Sequence, residues 1–257
     1  MRENKTKNKL NAGGTVFGAF ANVPAPMTVE MLGWLGFDFA ILDGEHSSVE
    51  QETIENMVRA ADVAGITPLA RIAFNHPQNL LRYLDSGCLG VEIPMVNTQE
   101  EAERVASAVR YPPRGIRGLA GVRANEWALT RSLAEYVKVA NDEILCIVQI
   151  ETKTAFENVK AIAAVPEVDM VFVGPTDTSS ALGFPGQTTH PEVLAVLERM
   201  GKTIRDAGKH AGTIGSNGEM VGKLSAWGYN YFATNISAFI INSGRQYLKE
   251  TAEAMKK

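Results

Sequence analysis

ILCIVQIETKTAFENVKAIAAVPEVDMVFVGPTDTSS, residues 144–180, holds the pattern that decides the fold. Two bounded apolar runs, 144–150 and 170–173, are rich in Ile, Leu and Val, and the second stops at Gly174-Pro175, so both read as buried strands. The segment between them reads as a helix. Strand, helix and strand in that order make a parallel unit whose strands deliver their C-terminal ends to one face. Glu151 and Asp177 lie just past those two ends and are expected to meet. Converging carboxylates repel each other unless a cation or a proton separates them, so the first expectation is a metal site.

Outward from this unit, short apolar runs keep alternating with amphipathic segments. Strands are expected at 16–20, 37–42, 67–72, 90–94, 144–150, 170–173, 211–214 and 231–233, with helices near 28–35, 49–64, 77–85, 99–109, 152–164, 191–207, 218–226 and 237–255. Eight such βα units in 257 residues suit a (β/α)8 TIM barrel of the α/β class, with residues 1–257 forming one domain. The alternation breaks at Tyr111-Pro112-Pro113-Arg114-Gly115, and about thirty residues pass before the next apolar run. This is a long loop insertion between strands 4 and 5, suited to folding over the site or against a neighbouring subunit.

Composition narrows the function classes. A hydrophobic fraction of 45% and a charged fraction of 21% fit an ordinary globular domain. A net charge of -4 without a concentrated basic stretch argues against nucleic-acid and membrane partners, and the basic run 2–9 reads as a solvated lead-in. Cys88 and Cys146 form no disulfide framework, and no apolar run has the length of a bilayer span or the character of a signal peptide. The expectation is a cytoplasmic protein.

On a barrel of this kind the C-terminal ends of the strands form the catalytic face. Polar residues gather there: Asp43-Gly44-Glu45-His46 after strand 2, Arg71 on strand 3, Gln149-Ile150-Glu151 on strand 5 and Gly174-Pro175-Thr176-Asp177 on strand 6. Glu151 and Asp177 are hard oxygen ligands that suit Mg2+ or Mn2+ and leave coordination positions open for water and substrate. His46 can accept a proton near neutrality, and Arg71 offers a fork for a carboxylate or enolate oxygen. A structural partner for Arg71 is expected in Asp43 or Glu92. Read singly, Glu151 and Asp177 could each merely open a helix, and Asp85 merely end one. Together the residues suit proton abstraction beside a carbonyl.

The same residues resemble the metal-dependent HpcH/HpaI aldolases, the class II pyruvate aldolases. The matching motifs are Gly36-Phe37-Asp38 leading to Asp43-Gly44-Glu45-His46, Arg71, Leu84-Asp85-Ser86-Gly87, Pro94-Met95-Val96, Arg110-Tyr111-Pro112-Pro113 with Gly115-Ile116-Arg117-Gly118, Gln149-Ile150-Glu151-Thr152 and Gly174-Pro175-Thr176-Asp177. They follow family order over nearly the whole chain. The resemblance implies a barrel of the phosphoenolpyruvate/pyruvate type that cleaves a 2-oxo-4-hydroxy acid reversibly to pyruvate and an aldehyde. Glu151 and Asp177 would hold a divalent cation, Mg2+ or Mn2+ with Co2+ as a further candidate, chelated by the pyruvyl end of the substrate. His46 would be the base, Arg71 would stabilise the enolate, and Asp85 would raise the basicity of His46. Gln149 and the backbone from Gly174 to Thr176 would contact the substrate, and Ser216 with Asn217 would hydrogen-bond the aldehyde half. Homo-oligomers, commonly hexamers, are implied as well.

Thr178 and the run 214–217 depart from the family forms, which leaves the aldehyde open. Two other readings use the same barrel: an oxaloacetate decarboxylase or macrophomate synthase type enzyme, and a non-catalytic barrel that binds an oxo acid. Retention of both the metal pair and a base favours catalysis. Among the lysines only Lys153 falls near the catalytic end, in the opening turn of a helix, so a Schiff-base mechanism ranks below the metal mechanism.

Overall fold

The computed structural model describes residues 2–256. Eight parallel strands close into a barrel in chain order: β1 (Val16–Ala21), β2 (Phe39–Asp43), β3 (Thr67–Arg71), β4 (Gly90–Ile93), β5 (Leu145–Ile150), β6 (Met170–Val173), β7 (His210–Ile214) and β8 (Tyr231–Asn235). Around them run α1 (Lys5–Asn11), α2 (Pro26–Trp34), α3 (Gln51–Ala64), α4 (Pro77–Asp85), α5 (Gln99–Val109), α6 (Leu133–Glu143), α7 (Lys153–Ala163), α8 (Pro175–Ala181), α9 (Pro191–Asp206), α10 (Gly218–Ala226) and α11 (Ile236–Ala254). The expected barrel is therefore present. Among the described residues no helix is long and apolar enough to cross a membrane.

Strand alternation sorts the side chains into two cores. Phe39, Ile41, Leu69, Leu145, Ile147, Met170, Phe172 and Tyr231 fill the barrel, while Ala40, Leu42, Cys146, Val148, Ile150, Val171 and Val173 pack outward against the helices. This period of two carries on to the strand ends. Asp43 follows Ile41 on the inner face, Arg71 follows Leu69, and Gln149 follows Ile147, so each projects toward the barrel mouth.

The N-terminal run 2–9 is not a solvated lead-in. It forms α1 beneath the barrel, where the fully buried Asn4 donates to the carbonyls of Leu89 (2.8 Å) and Glu143 (2.9 Å). Lys7 donates to the carbonyl of Ile144 at 3.0 Å and pairs with Asp169 at 3.0 Å. Strand-end carbonyls and amides left open at the lower rim draw in these polar side chains. The insertion after α5 carries a 3-10 segment, Arg123–Ala128, and then α6, whose capping box joins Ser132 and Glu135.

Candidate active site

Register places three charged residues abreast on the inner face. Asp43 on β2 is level with Arg71 on β3, and Arg71 with Glu92 on β4. Arg71 donates to both oxygens of Asp43, from Nε at 2.9 Å and from Nη2 at 2.7 Å, and its guanidinium carbon lies 4.3 Å from the centre of the Phe20 ring. A two-pronged bond combined with stacking on a ring is a geometry that arginine holds and lysine does not. Burial favours the neutral form of Asp43, but the Arg71 hydrogen bonds and charge, aided by the amides of His46 and Glu45, hold it below the ordinary carboxylate value. Of the two partners expected for Arg71, Asp43 is the one it bonds.

Asp43 also shapes the loop that follows it. Its Oδ1 accepts from the backbone amides of Glu45 (3.1 Å) and His46 (3.2 Å), and its carbonyl accepts from Ser47. The result sets Glu45 Oε2 3.3 Å from Arg71 Nε and puts His46 at the lip, where its side chain is 65% exposed and Nε2 lies 3.7 Å from Glu45 Oε2. Burial, reinforced by Asp43 and Asp177, raises Glu45 in spite of Arg71 and His46.

Glu151 is 3% exposed and held from two sides. Gln149 Nε2 donates to its Oε2 at 2.6 Å, and the amide of Met95 donates to its Oε1 at 3.0 Å. Met95 takes a left-handed φ of 57° to do so. A non-glycine residue there carries strain, and strain of this kind collects at functional sites. Burial is the main reason that the Glu151 carboxyl sits above its ordinary value, and the charges of Asp177 and Glu45 add to it. Gly174 closes the other side, where a Cβ would lie 2.7 Å from Glu151 Oε2.

Arg71, Gln149, Gly174, Pro175, Thr176, Asp177, His46, Phe20, Phe172, Ile214 and Asn235 line a cavity of about 270 Å3 at this mouth. Thus β2, β3, β5 and β6 bring together His46, Arg71, Gln149, Gly174, Thr176 and Asp177, with Asp43 behind them and Glu151 beside Gly174. Asp85 stands apart. It ends α4 and accepts from Arg117 of the insertion at 2.9 Å, so within this chain its partner is Arg117 and not His46. Ser216 is exposed in the loop after β7 and is not among the residues that line the cavity. Lys153 is exposed, and no lysine is among the lining residues.

Sequence reasoning missed Phe20, Phe172 and Asn235 as lining residues and the Met95 amide as a holder of Glu151. The strand-end rule applied to β1 and β8 finds Phe20 and Asn235. No sequence signal marks the backbone twist at Met95.

Comparison with known proteins identifies the family. The family model for HpcH/HpaI aldolase/citrate lyase matches residues 17–241. The chain is 34% identical to a 5-keto-4-deoxy-D-glucarate aldolase of Salmonella arizonae over 96% of each chain. It is 39% identical to a 2-dehydro-3,6-dideoxy-6-sulfogluconate aldolase of Pseudomonas putida over 80% of each. In three dimensions it is similar to the citrate synthase SbnG, with a TM-score of 0.90, 28% identity and coverage of 99% of this chain and 100% of the other.

Proposed function

Because the chain belongs to the HpcH/HpaI aldolase/citrate lyase family, we propose that it is a divalent-metal-dependent aldolase that cleaves a 2-oxo-4-hydroxy acid reversibly to pyruvate and an aldehyde. The observation that carries this reading is one cavity lined by Arg71, which Asp43 fixes, by an exposed His46 and by Asp177, with the twice-held Glu151 behind Gly174 of its lining. The donors fit a hard cation. Glu151 and Asp177 offer only oxygen, and the charge of Asp177 adds to the burial that holds Glu151 above its ordinary value. Among the described residues no group of three or more His, Cys, Asp or Glu is placed to hold a metal, so two carboxylates would leave the other positions to water and substrate.

When bound, Mg2+, Mn2+ or Co2+ would supply fixed positive charge beside the 2-oxo and carboxylate oxygens of the substrate. The protein groups divide the remaining work. His46 takes the proton from the 4-hydroxyl as the C3–C4 bond breaks, and the bonding pair moves toward C2 and its oxygen. Arg71 faces that oxygen as negative charge develops, already oriented by Asp43 and so without reorganisation at the moment of reaction. Protonation at C3 by His46 then gives pyruvate. Gln149 keeps Glu151 aimed at the mouth throughout. α11 leaves Phe239, Ile240, Ile241, Tyr247 and Leu248 exposed, which supports the homo-oligomer implied by the resemblance.

The deciding experiment follows the methyl protons of pyruvate in deuterated buffer. Exchange that requires Mg2+ or Mn2+, and that is lost in Glu151→Gln and Asp177→Asn, is the expected result. Exchange that survives thorough chelation, or a lysine adduct trapped by borohydride, overturns the metal mechanism. Oxo-acid binding with neither exchange nor cleavage across an aldehyde panel would instead mark a non-catalytic barrel.

A further inference from the structure

The cavity at the mouth has one wall that the proposed chemistry does not use. Strand order around the closed barrel sets β7, β8 and β1 across from β3, β4 and β5. Arg71 on β3 and the Gln149-Glu151 end of β5 take the pyruvyl half of the substrate in the aldolase reading. The opposite wall then faces C4 and the carbons beyond it, the half that leaves as the aldehyde. Its side chains are Ile214 on β7, Asn235 at the end of β8 and Phe20 on β1, with Phe172 of β6 beside them. Of these four, only Asn235 is polar.

Register and helix capping together turn Asn235 toward the cavity. It follows Tyr231 and Ala233, both of the inner core, at intervals of two, and it is level with Phe20. It is also the N-cap of α11, with φ -117° and ψ 136°, where an asparagine side chain ordinarily accepts from an amide of the first turn. Asn217 does this for α10, accepting from the Met220 amide at 2.8 Å. Asn235 does not. Asn22, in the loop after β1, takes its place: Asn22 Oδ1 accepts from the Ser237 amide at 3.3 Å, and Asn22 Nδ2 donates to the Ser237 hydroxyl at 2.9 Å. With the capping role filled, the side-chain amide of Asn235 has no hydrogen-bond partner among the described residues, and it lines the cavity.

We infer that Asn235 is the specificity-determining residue for the aldehyde half, and that it selects a short, uncharged aldehyde bearing a hydroxyl. This rests on the aldolase reading. A hydroxyl both donates and accepts, so it pairs with either end of the amide. A distal carboxylate fares worse. The cations among the lining residues are Arg71, bound by Asp43, and His46, and neither stands on this wall. A wholly apolar chain displaces water from the amide and returns no bond, which costs affinity.

Addition of pyruvate, with Mn2+, to glyceraldehyde, propanal and succinic semialdehyde tests the assignment, with kcat/KM read for each aldehyde. The parent should prefer glyceraldehyde to the other two by at least about tenfold. Asn235→Leu and Asn235→Ala should each lose about tenfold of the glyceraldehyde-to-propanal ratio, the scale of a hydrogen bond left unmade. Asn235→Ser keeps a hydroxyl and should retain part of it. Each ratio is taken within one protein and compared with the parent's, so the intrinsic reactivity of the aldehydes and the absolute rate of the variant cancel. An unchanged ratio in either apolar variant, or a parent that uses succinic semialdehyde as well as glyceraldehyde, overturns the inference. Exchange of the pyruvate methyl protons separates the two readings. With Mn2+-dependent exchange present and the ratio unmoved, Asn235 alone is misassigned; a parent with neither exchange nor addition removes the aldolase reading and this inference with it.

Discussion

Gly174→Ala perturbs the candidate metal site with a single methyl and no change of charge. Gly174 is the N-cap of α8, with φ -78° and ψ 104°, a backbone that alanine adopts without strain. Two small stability effects oppose each other: the poorer N-cap costs about 0.5–1 kcal/mol, and the lost freedom of the unfolded chain returns about 0.4–1 kcal/mol. These two backbone effects nearly cancel. The new Cβ, however, would lie 2.7 Å from Glu151 Oε2 and 3.3 Å from Gln149 Nε2. Ordinary contact requires the oxygen to retreat by roughly 0.7 Å. It cannot do so without disturbing the 2.6 Å bond from Gln149 or the 3.0 Å bond from the Met95 amide. Misdirection of a ligand on this scale weakens metal binding about ten- to a hundredfold. Mn2+ titration followed by electron paramagnetic resonance measures the affinity, and thermal unfolding with and without Mn2+ measures the linkage. At a free Mn2+ concentration of about a hundred times the parent dissociation constant, metal stabilises the parent by about 2.7 kcal/mol, and a tenfold weaker variant by about 1.4 kcal/mol. Parent-like Mn2+ affinity and turnover in Gly174→Ala would refute the ligand assignment of Glu151.

Arg71→Lys should lower kcat about 10²- to 10³-fold with little change in Mn2+ affinity, because an ammonium cannot hold Asp43 by two prongs while facing the substrate; equal rates count against Arg71 as the oxyanion partner. Asp43→Asn should destabilise the protein by about 2–4 kcal/mol, toward the low side for a broken buried pair since Glu45 lies 3.3 Å from Arg71 Nε. Asp43 is held below its ordinary 3.8, so this stabilisation is present above that pH and disappears as pH falls through the depressed value; denaturant unfolding of both proteins at stepped acid pH checks it. Glu151 is raised, so its folded-state cost is absent below the ordinary 4.5 and grows as pH rises; metal-free Glu151→Gln should match or exceed the parent in stability at pH 8, and a clear loss there contradicts the repulsion argument. Asn4→Ala should cost about 1–3 kcal/mol while leaving kcat unchanged, since the amide bonds only the lower rim.

The strands and most helices were legible because their apolar period is strong. Pro77, Gln99 and Gly218 open helices where turn and capping chemistry places them, and α4, α5 and α10 match the expected bounds. α1 escaped because its burial is polar: Asn4 and Lys7 are drawn in by strand-end carbonyls, which leaves no hydrophobic stripe to read. α6 lies within the insertion, where the only sequence signal is the capping box of Ser132 and Glu135, three residues apart. The candidate site was legible wherever a charged residue ends an apolar strand or follows it within one turn, as at Asp43, Arg71, Glu151 and Asp177. Glu92 could not be oriented because β4 has four residues, all of them buried, so alternation gives no contrast and only the pairing with Arg71 and Ile147 settles its face. Asp85 shows a different limit: the role implied by resemblance requires His46, and the single chain supplies Arg117 instead.

The two ends of the barrel treat charge in opposite ways, and the difference argues for function at the upper one. At the lower rim the buried Arg110 bonds Glu167, Asp169 and the Ile144 carbonyl, Lys7 pairs with Asp169, and Arg114 bridges Glu167 and Asp142. Every one of those cations has its carboxylate, which is how buried charge is stabilised when stability is all that is required. At the mouth, Asp43, Glu45, Glu92, Glu151 and Asp177 face the single guanidinium of Arg71 and the imidazole of His46. Burial keeps Glu45, Glu92 and Glu151 above their ordinary values, as befits acids set close together with little positive charge beside them. Arg71 cannot neutralise the group, because Asp43 already occupies two of its donors. A divalent cation between Glu151 and Asp177 would relieve this repulsion where it is least screened, and the substrate carboxylate could then approach a mouth that would otherwise repel it. Five acids sharing one guanidinium at one rim, set against acids each paired with a cation at the other, are the physical ground for expecting the cation before the substrate.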